Sequence, residues 1–251
     1  MPEPGDVLSL KSVPLFRELG AADLARLSRA ASTIDLAAPT EIFCQGDLPD
    51  AVYAIVGGDG CVRIGAVDRQ SKALMVEVFQ AGDVFGEVGV IESKSRTASA
   101  VVEGRVRLLR IGAAAFRETL VNSPALGEAL CRVLARRLRR TFELFQDATF
   151  ESLEVRLARQ ILYLADVAGR ADRNGLRLVR RFRQGDLADL LGVTNRSIIT
   201  ILNVWRTDGT VSYNTKTAML TVTNRPALEA LLPQNHEETG VIAGTGPVNE
   251  V

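Results

Sequence analysis

Residues 81–102 read AGDVFGEVGVIESKSRTASAVV. Gly82 and Gly86 bracket a turn that Phe85 can anchor, and Gly86-Glu87-Val88-Gly89 can open a short helix whose first N–H groups face outward. Nine residues after Glu87 come Arg96, Thr97 and Ala98. Exposed helix amides, a guanidinium and a hydroxyl together suit one phosphate group. A carboxylate cannot serve that phosphate, because like charges repel, but Glu87 can accept hydrogen bonds from a sugar hydroxyl. The pairing of Glu87 with Arg96 therefore reads as sugar plus phosphate, that is, a nucleotide. Spacing alone leaves a second arrangement open, in which the two residues form a surface ion pair on a β-hairpin.

Outward from this stretch, residues 34–112 fall into short alternating runs. IFCQGD, AVYAIVGG, CVRIGAV, LMVEVFQAGD, ASAVVEG and VRLLRIG are punctuated by Gly and Asp, as in an antiparallel sandwich or roll. Before them, 14–31 has near-helical spacing of Leu19, Leu24, Leu27 and Ala31. After them, Leu126, Leu130, Val133, Leu134, Leu138, Phe142 and Phe145 recur at intervals of three and four, predicting one long amphipathic helix over 124–147. Its apolar stripe needs cover, from its own domain or from a twin helix. A second helix is expected over 151–168, then a turn at RADRNG, a strand at LRLVRRF, two helices about a tight turn in QGDLADLLGVTNRSIITILNVWRTDG, and a strand pair in VSYNTKTAMLTVT. No internal repeat is apparent.

Composition removes several function classes. The 251 residues carry 30 basic and 30 acidic side chains, so no net field draws the molecule to nucleic acid or membrane. The basic surplus is local: residues 150–232 hold 12 basic against 8 acidic groups, as a nucleic-acid domain would, although a solvated helical face gives the same count. Cys44, Cys61 and Cys131 form no CxxC pair and read as buried small apolar residues in a reducing cytoplasm. The sole histidine, His236, lies beside Glu237 and Glu238 in a polar stretch, which leaves triad and zincin chemistry without its parts. With no Walker lysine and no convergent acidic cluster outside the tail, an enzyme is not expected. The first residues lack a secretory pattern and no run of about 18 apolar residues occurs, so a soluble, cytoplasmic protein with no membrane partner is expected.

At this point the residues resemble a known family. QGD, YAIVGGDGCVRI, AGDVFGEVGV and SRTASA follow the order of a cyclic-nucleotide-binding β-roll, with FGE and RTA as its phosphate-binding cassette. Together with the long helix and LADLLGVTNRSIITIL, the chain resembles Crp/Fnr-type transcription regulators over about residues 10–230. The resemblance implies an α+β architecture: a cyclic-nucleotide-binding jelly roll over 1–123, a dimerisation helix over 124–149, a winged helix-turn-helix over 150–232, and a disordered tail over 233–251. It implies that Phe85, Gly86, Glu87, Val88, Arg96, Thr97 and Ala98 bind a cyclic nucleotide, cAMP or cGMP, with Glu87 on the ribose and Arg96 and Thr97 on the phosphate. On the long helix the family places a Thr and then a Ser at the purine. Here Thr141 is followed by Phe142, which can stack on the base or pack in the seam. This departure leaves the choice of nucleotide open.

Iron–sulfur sensing is disfavoured, because Cys44 and Cys61 are isolated, and haem sensing is disfavoured, because the roll has no His. No metal, haem or cluster is expected. A regulator that binds DNA without nucleotide, or that answers to another small effector, is the alternative reading. Retention of Glu87, Arg96 and Thr97 argues against it.

In the C-terminal third, Gln184–Leu191 is the expected first helix, Gly192-Val193 the turn, and Thr194 the N-cap of a second helix from Asn195 to about Trp205. Ala188, Leu191, Val193, Ile198, Ile201 and Leu202 would point inward and Trp205 would join the core, leaving Asn195, Arg196 and Thr200 at the base edges, with Ser197 beside them. Arg180, Arg181, Arg183 and Lys216 are expected at DNA phosphates. The implied partners are an inverted-repeat site in double-stranded DNA, a second copy of the chain, and RNA polymerase.

Overall fold

The computed structural model describes residues 3–4, 7–67, 73–178 and 182–233. Arg180, Arg181, His236 and the tail after Pro233 lie outside them. Helices α1 (Val7–Ser12) and α2 (Ala21–Arg29), joined by a 3-10 turn at Pro14–Phe16, lie between the first two strands of the roll. The roll is built from β1 (Glu3–Pro4), β2 (Ala31–Ala37), β3 (Thr40–Phe43), β4 (Ala51–Gly58), β5 (Cys61–Val67), β6 (Ala73–Phe79), β7 (Val84–Phe85), β8 (Ser99–Glu103) and β9 (Arg105–Gly112). Between β7 and β8 lies the one-and-a-half-turn helix α3 (Glu87–Glu92). Two antiparallel sheets result, in the orders β1-β2-β9-β4-β7 and β3-β8-β5-β6.

The period-two alternation of the strands divides the buried side chains between two cores. Along β4, Ala51, Tyr53 and Ile55 point between the sheets, where they meet Val62, Ala100 and Val102. Val52 and Ala54 point the other way, onto Leu10, Phe16, Leu24 and Leu27 of the leading helices. β9 repeats the division: Val106 and Leu108 face the sandwich, whereas Leu109 and Ile111 face the helices. AVYAIVGG thus reads as a continuous apolar run because both of its faces are covered.

α4 (Ala113–Asn122) leads into α5 (Pro124–Phe150), which begins with Pro at its first position. The stripe expected on α5 divides. Leu126 and Leu130 are buried, and Val133 and Leu134 pack against the helix-side core of the roll. Leu138, Phe142 and Phe145 stand 56%, 60% and 67% exposed, and Phe150 continues that exposed row.

α6 (Leu153–Ala168) follows with Ser152 as its N-cap. A four-stranded sheet, ordered β10-β11-β13-β12, then frames the helix pair: β10 (Gly169–Asp172), β11 (Gly175–Leu178), β12 (Val211–Asn214) and β13 (Met219–Val222). α7 (Gln184–Leu191) and α8 (Asn195–Thr207) meet at Gly192, whose φ of 65° is the left-handed C-cap a glycine adopts without strain. α9 (Arg225–Glu229) closes the domain. Its core joins Leu157, Ile161, Phe182, Leu187, Ile198, Leu202 and Trp205, so the indole is a packing group as expected.

Three expectations need correction. Only Cys61 is buried; Cys44 is half-buried and Cys131 exposed, because Cys131 falls on the outer side of α5. Cys44 donates to Glu41, and that carboxylate pushes the thiol up to about 11. The turn expected at RADRNG (170–175) is confined to residues 173–174, and 170–172 belong to strand β10, an edge strand paired residue for residue with β11. Residues 7–12 and 113–122, to which no element was assigned, are helices α1 and α4. The helical reading of 14–31 fails at its end, since α2 stops at Arg29 and Ala31 opens strand β2, paired along its whole length with β9. Among the described residues no helix is long and apolar enough to cross a membrane.

Candidate effector cavity and DNA-reading surface

A cavity of about 530 Å³ opens where the roll, α5 and the C-terminal domain meet. Phe85, Gly86, Glu87, Val88, Arg96, Thr97, Ala98 and Thr141 all line it. Their positions follow from local backbone. Phe85 ends β7 opposite Tyr53 and is 1% exposed, stacked on Tyr53 and Phe79 at 5.4 and 6.0 Å. Gly86 then turns with φ of 80°. A Cβ at this position would lie 2.8 Å from Arg96 Nη1, so only glycine lets the guanidinium lie against the chain here. No side chain caps the N-terminus of α3.

Arg96 and Glu87 are 3% and 2% exposed, and they do not pair with each other. The hairpin ion pair that spacing left open is therefore absent. Arg96 donates from Nη1 to the carbonyl of Gly86 at 2.5 Å and from Nη2 to the carbonyl of Ala51 at 2.7 Å, with Asp50 Oδ1 at 3.2 Å. Its guanidinium lies 4.2 Å from the Phe43 ring centre. Its Nε is buried without a hydrogen-bond partner. Glu87 accepts from Arg137 Nη1 of α5 at 2.5 Å, and the same guanidinium donates to the carbonyl of Val84. It also lies 4.5 Å from the Phe79 ring centre. Asp50, in turn, is held by Arg110 at 2.7 Å, and these guanidinium partners keep its carboxyl below the usual range despite partial burial.

Phe142 is not among the residues that line this cavity in the single chain, whereas Phe145, one turn on, is. Thr141 faces the cavity, although its hydroxyl donates back to the carbonyl of Arg137. Sequence reasoning missed Glu77, Arg137, Arg140, Gln160 and Phe43, which complete the wall. The signal for Arg137 and Arg140 was present in ARRLRR, where they stand on the same side of the helix as Thr141 and Leu144 at spacings of three and four. Arg140 donates to Gln160 of α6 at 2.6 Å and lies 4.1 Å from the Tyr163 ring centre. Glu77 is buried enough that desolvation raises its carboxyl above the usual range, against the pull of Arg140 and Arg137.

The second site residues lie on α7, α8 and the β12–β13 pair. Thr194 caps α8 by accepting from Ser197 N at 3.3 Å. Asn195, Arg196 and Thr200 are exposed on one face of the first turns, Ser197 is half-buried, and Ile198 and Leu202 fill the opposite face. Arg183 stands at the N-cap of α7 and Lys216 in the exposed turn of the β12–β13 hairpin, where Asn214 Oδ1 accepts its backbone N–H at 3.0 Å.

A helix pair with polar residues at the start of the second helix, followed by a β-hairpin, is the arrangement of a winged helix-turn-helix. Two family models match this chain: the cyclic nucleotide-binding domain over residues 34–123 and the Crp-like helix-turn-helix domain over residues 155–231. The chain belongs to the Crp/Fnr family. This Crp/Fnr protein is 27% identical over 216 residues to the CRP-like cAMP-activated global transcriptional regulator of Mycobacterium tuberculosis, covering 86% of this chain and 96% of that one. It is 28% identical over 170 residues to the cyclic AMP receptor protein of Thermus thermophilus, covering 68% and 74% of the two chains. Among solved structures, the c-di-GMP responsive regulator CLP of Xanthomonas campestris shares the fold at a TM-score of 0.69 and 20% identity, over 81% of this chain and 99% of that one. FixK2 of Bradyrhizobium japonicum does so at 0.69 and 19%, over 81% and 98%. The Crp/Fnr protein is a DNA-binding transcription regulator.

Proposed function

We propose that this regulator is switched by a cyclic nucleotide bound in the cavity and reads an inverted-repeat DNA site as a homodimer in the cytoplasm. The observation that carries the reading is Arg96. A guanidinium that is 3% exposed, with an orphan Nε beside an uncapped helix start, leaves a buried donor costing about 1–3 kcal/mol unless an anion meets it. Arg96, Thr97 and the backbone N–H of Gly86 hold the cyclic phosphate, Glu87 takes the ribose 2′-hydroxyl, and Phe85, Val88, Ala98 and Thr141 shape the rest. The names of the two relatives favour cAMP over cGMP.

The exposed row Leu138, Phe142, Phe145 and Phe150 supports a second copy as the cover of α5, since an apolar row of that size is seldom left in water. Asn195, Arg196, Ser197 and Thr200 read base edges after Thr194 opens the helix, while Arg183 and Lys216 hold phosphates. RNA polymerase is the expected further partner. A gel shift on DNA selected by the protein, with and without cAMP and cGMP, tests this: a shift that one nucleotide strengthens supports it, and a shift indifferent to both contradicts it.

A further inference from the structure

Glu77 is a partly buried carboxyl on the cavity wall that neither the phosphate nor the sugar engages. Along β6 the side chains alternate. Val78 turns to Cys61 and Leu190, whereas Glu77 and Phe79 turn to the cavity, as does Ile64, the partner of Glu77 across the β5–β6 ladder. Arg137 fixes where this carboxyl stands. It holds Glu87 and also pulls on Glu77, so Glu77 lies on the α5 side of the sugar-binding carboxylate, whereas Arg96 is held from β4 by the carbonyl of Ala51. A phosphate at Arg96 and a ribose at Glu87 therefore direct the base toward Glu77, Arg140 and Thr141. Thr141 offers that base an acceptor alone, because its hydroxyl proton is donated to the carbonyl of Arg137.

The charged and titratable groups facing Glu77 are Arg137 and Arg140 of α5, Tyr163 of α6 and Asp83 of the turn after β6. Its Oε1 accepts the backbone N–H of Val78 at 3.0 Å, which leaves the proton of the neutral acid on Oε2. A neutral carboxyl then presents one donor beside one acceptor, the complement of N1 and N6–H2 of adenine. An ionised one presents two acceptors, the complement of N1–H and N2–H2 of guanine, and it repels the lone pair of adenine N1. We propose that Glu77 is the base-reading residue of this cavity, pairing as the neutral acid with the N1–N6 edge of adenine and, once ionised, with the N1–N2 edge of guanine. Burial favours the first pairing, since it pushes the carboxyl above its ordinary range. The purine preference is thereby tied to pH. This rests on the reading of the cavity as a cyclic-nucleotide site.

Titration calorimetry with cAMP and cGMP at pH 5.5 and pH 8 reads this link in wild type and in Glu77→Gln, which keeps a donor and an acceptor but cannot ionise. Neither purine titrates between these values, and the arginines stay charged throughout. In wild type the ratio of cAMP to cGMP affinity should fall about tenfold from pH 5.5 to pH 8. Binding of cAMP at pH 8 should also take up a proton, read as a heat that varies with the ionisation enthalpy of the buffer. In Glu77→Gln the ratio should be equal at both values and close to that of wild type at pH 5.5, with no proton taken up. Asp83 remains in that variant, so a flat ratio assigns the proton to Glu77. A wild-type ratio that does not change with pH, or the same pH dependence in Glu77→Gln, overturns the proposal while the nucleotide site stands. Failure of wild type to bind either nucleotide is a separate result, which takes the cyclic-nucleotide reading down together with the proposal.

Discussion

Glu87 and Arg137, fifty residues apart, meet at 2.5 Å between Oε1 and Nη1 and tie the cassette to the long helix. Glu87 is almost fully buried, so it has no water to replace this partner. Any sugar hydroxyl that takes Glu87 must share it with Arg137 or displace it, and either event is felt by α5.

Removing one member of such a pair leaves the other buried and uncompensated. Arg137→Ala should therefore destabilise the fold by about 3 kcal/mol in urea denaturation, and Arg137→Ala combined with Glu87→Gln should recover part of that loss. Equal stability of Arg137→Ala and wild type would show that the carboxylate is solvated after all.

The divided stripe on α5 separates dimerisation from folding. Leu138→Glu together with Phe142→Glu changes only exposed positions, so sedimentation at micromolar concentration should give a folded monomer with a melting temperature close to wild type. Leu134→Glu should instead unfold the roll, because Leu134 packs against its core. A wild-type monomer at that concentration would contradict the dimer.

Why the division was not legible lies in what a helical period can carry. Spacings of three and four place Leu126 through Phe145 in one row, but which turns of that row the roll covers depends on where the roll ends. The family resemblance on the long helix points to Thr141 and, by adjacency in sequence, to Phe142 rather than Phe145. The cavity lies on the side of α5 that carries Phe145. By contrast, β4 was legible from AVYAIVGG alone, and the α7–α8 turn from LLGVTNR, because Gly192 and the Thr194 cap are local requirements. GRAD was not, since an exposed polar edge strand has neither alternation nor a β-branched run.

Glu77 offers a pH-dependent reading of the cavity wall. Burial raises its carboxyl above its ordinary 4.5, so the folded chain favours the protonated form and loses stability as pH climbs through the raised value. Glu77→Gln mimics that form at every pH. Its melting temperature should exceed that of wild type at pH 7, with the gain vanishing below about pH 4, where both states of the wild-type residue are protonated. A gain that persists unchanged at low pH would assign the effect to packing.

On DNA, Arg196→Ala should alter the motif recovered from a random pool at one position in each half-site, at about 1–3 kcal/mol. Lys216→Ala should weaken all sequences alike and reduce the salt slope. Recovery of the wild-type motif by Arg196→Ala would mean that the reading face of α8 is turned toward Ser197 and Thr200.

The central claim is that Arg96 receives a cyclic phosphate, and titration calorimetry with cAMP and cGMP on wild type, Arg96→Lys and Arg96→Ala tests it most directly. Arg96 also fastens the carbonyls of Gly86 and Ala51, so the folded state of each variant is checked by its melting curve in the same buffer. We expect saturable binding of at least one nucleotide by wild type, a large loss in Arg96→Lys, which cannot reproduce the planar fork, and no detectable binding in Arg96→Ala. Equal affinity in wild type and a folded Arg96→Ala, or no binding of either nucleotide to wild type, would contradict the account.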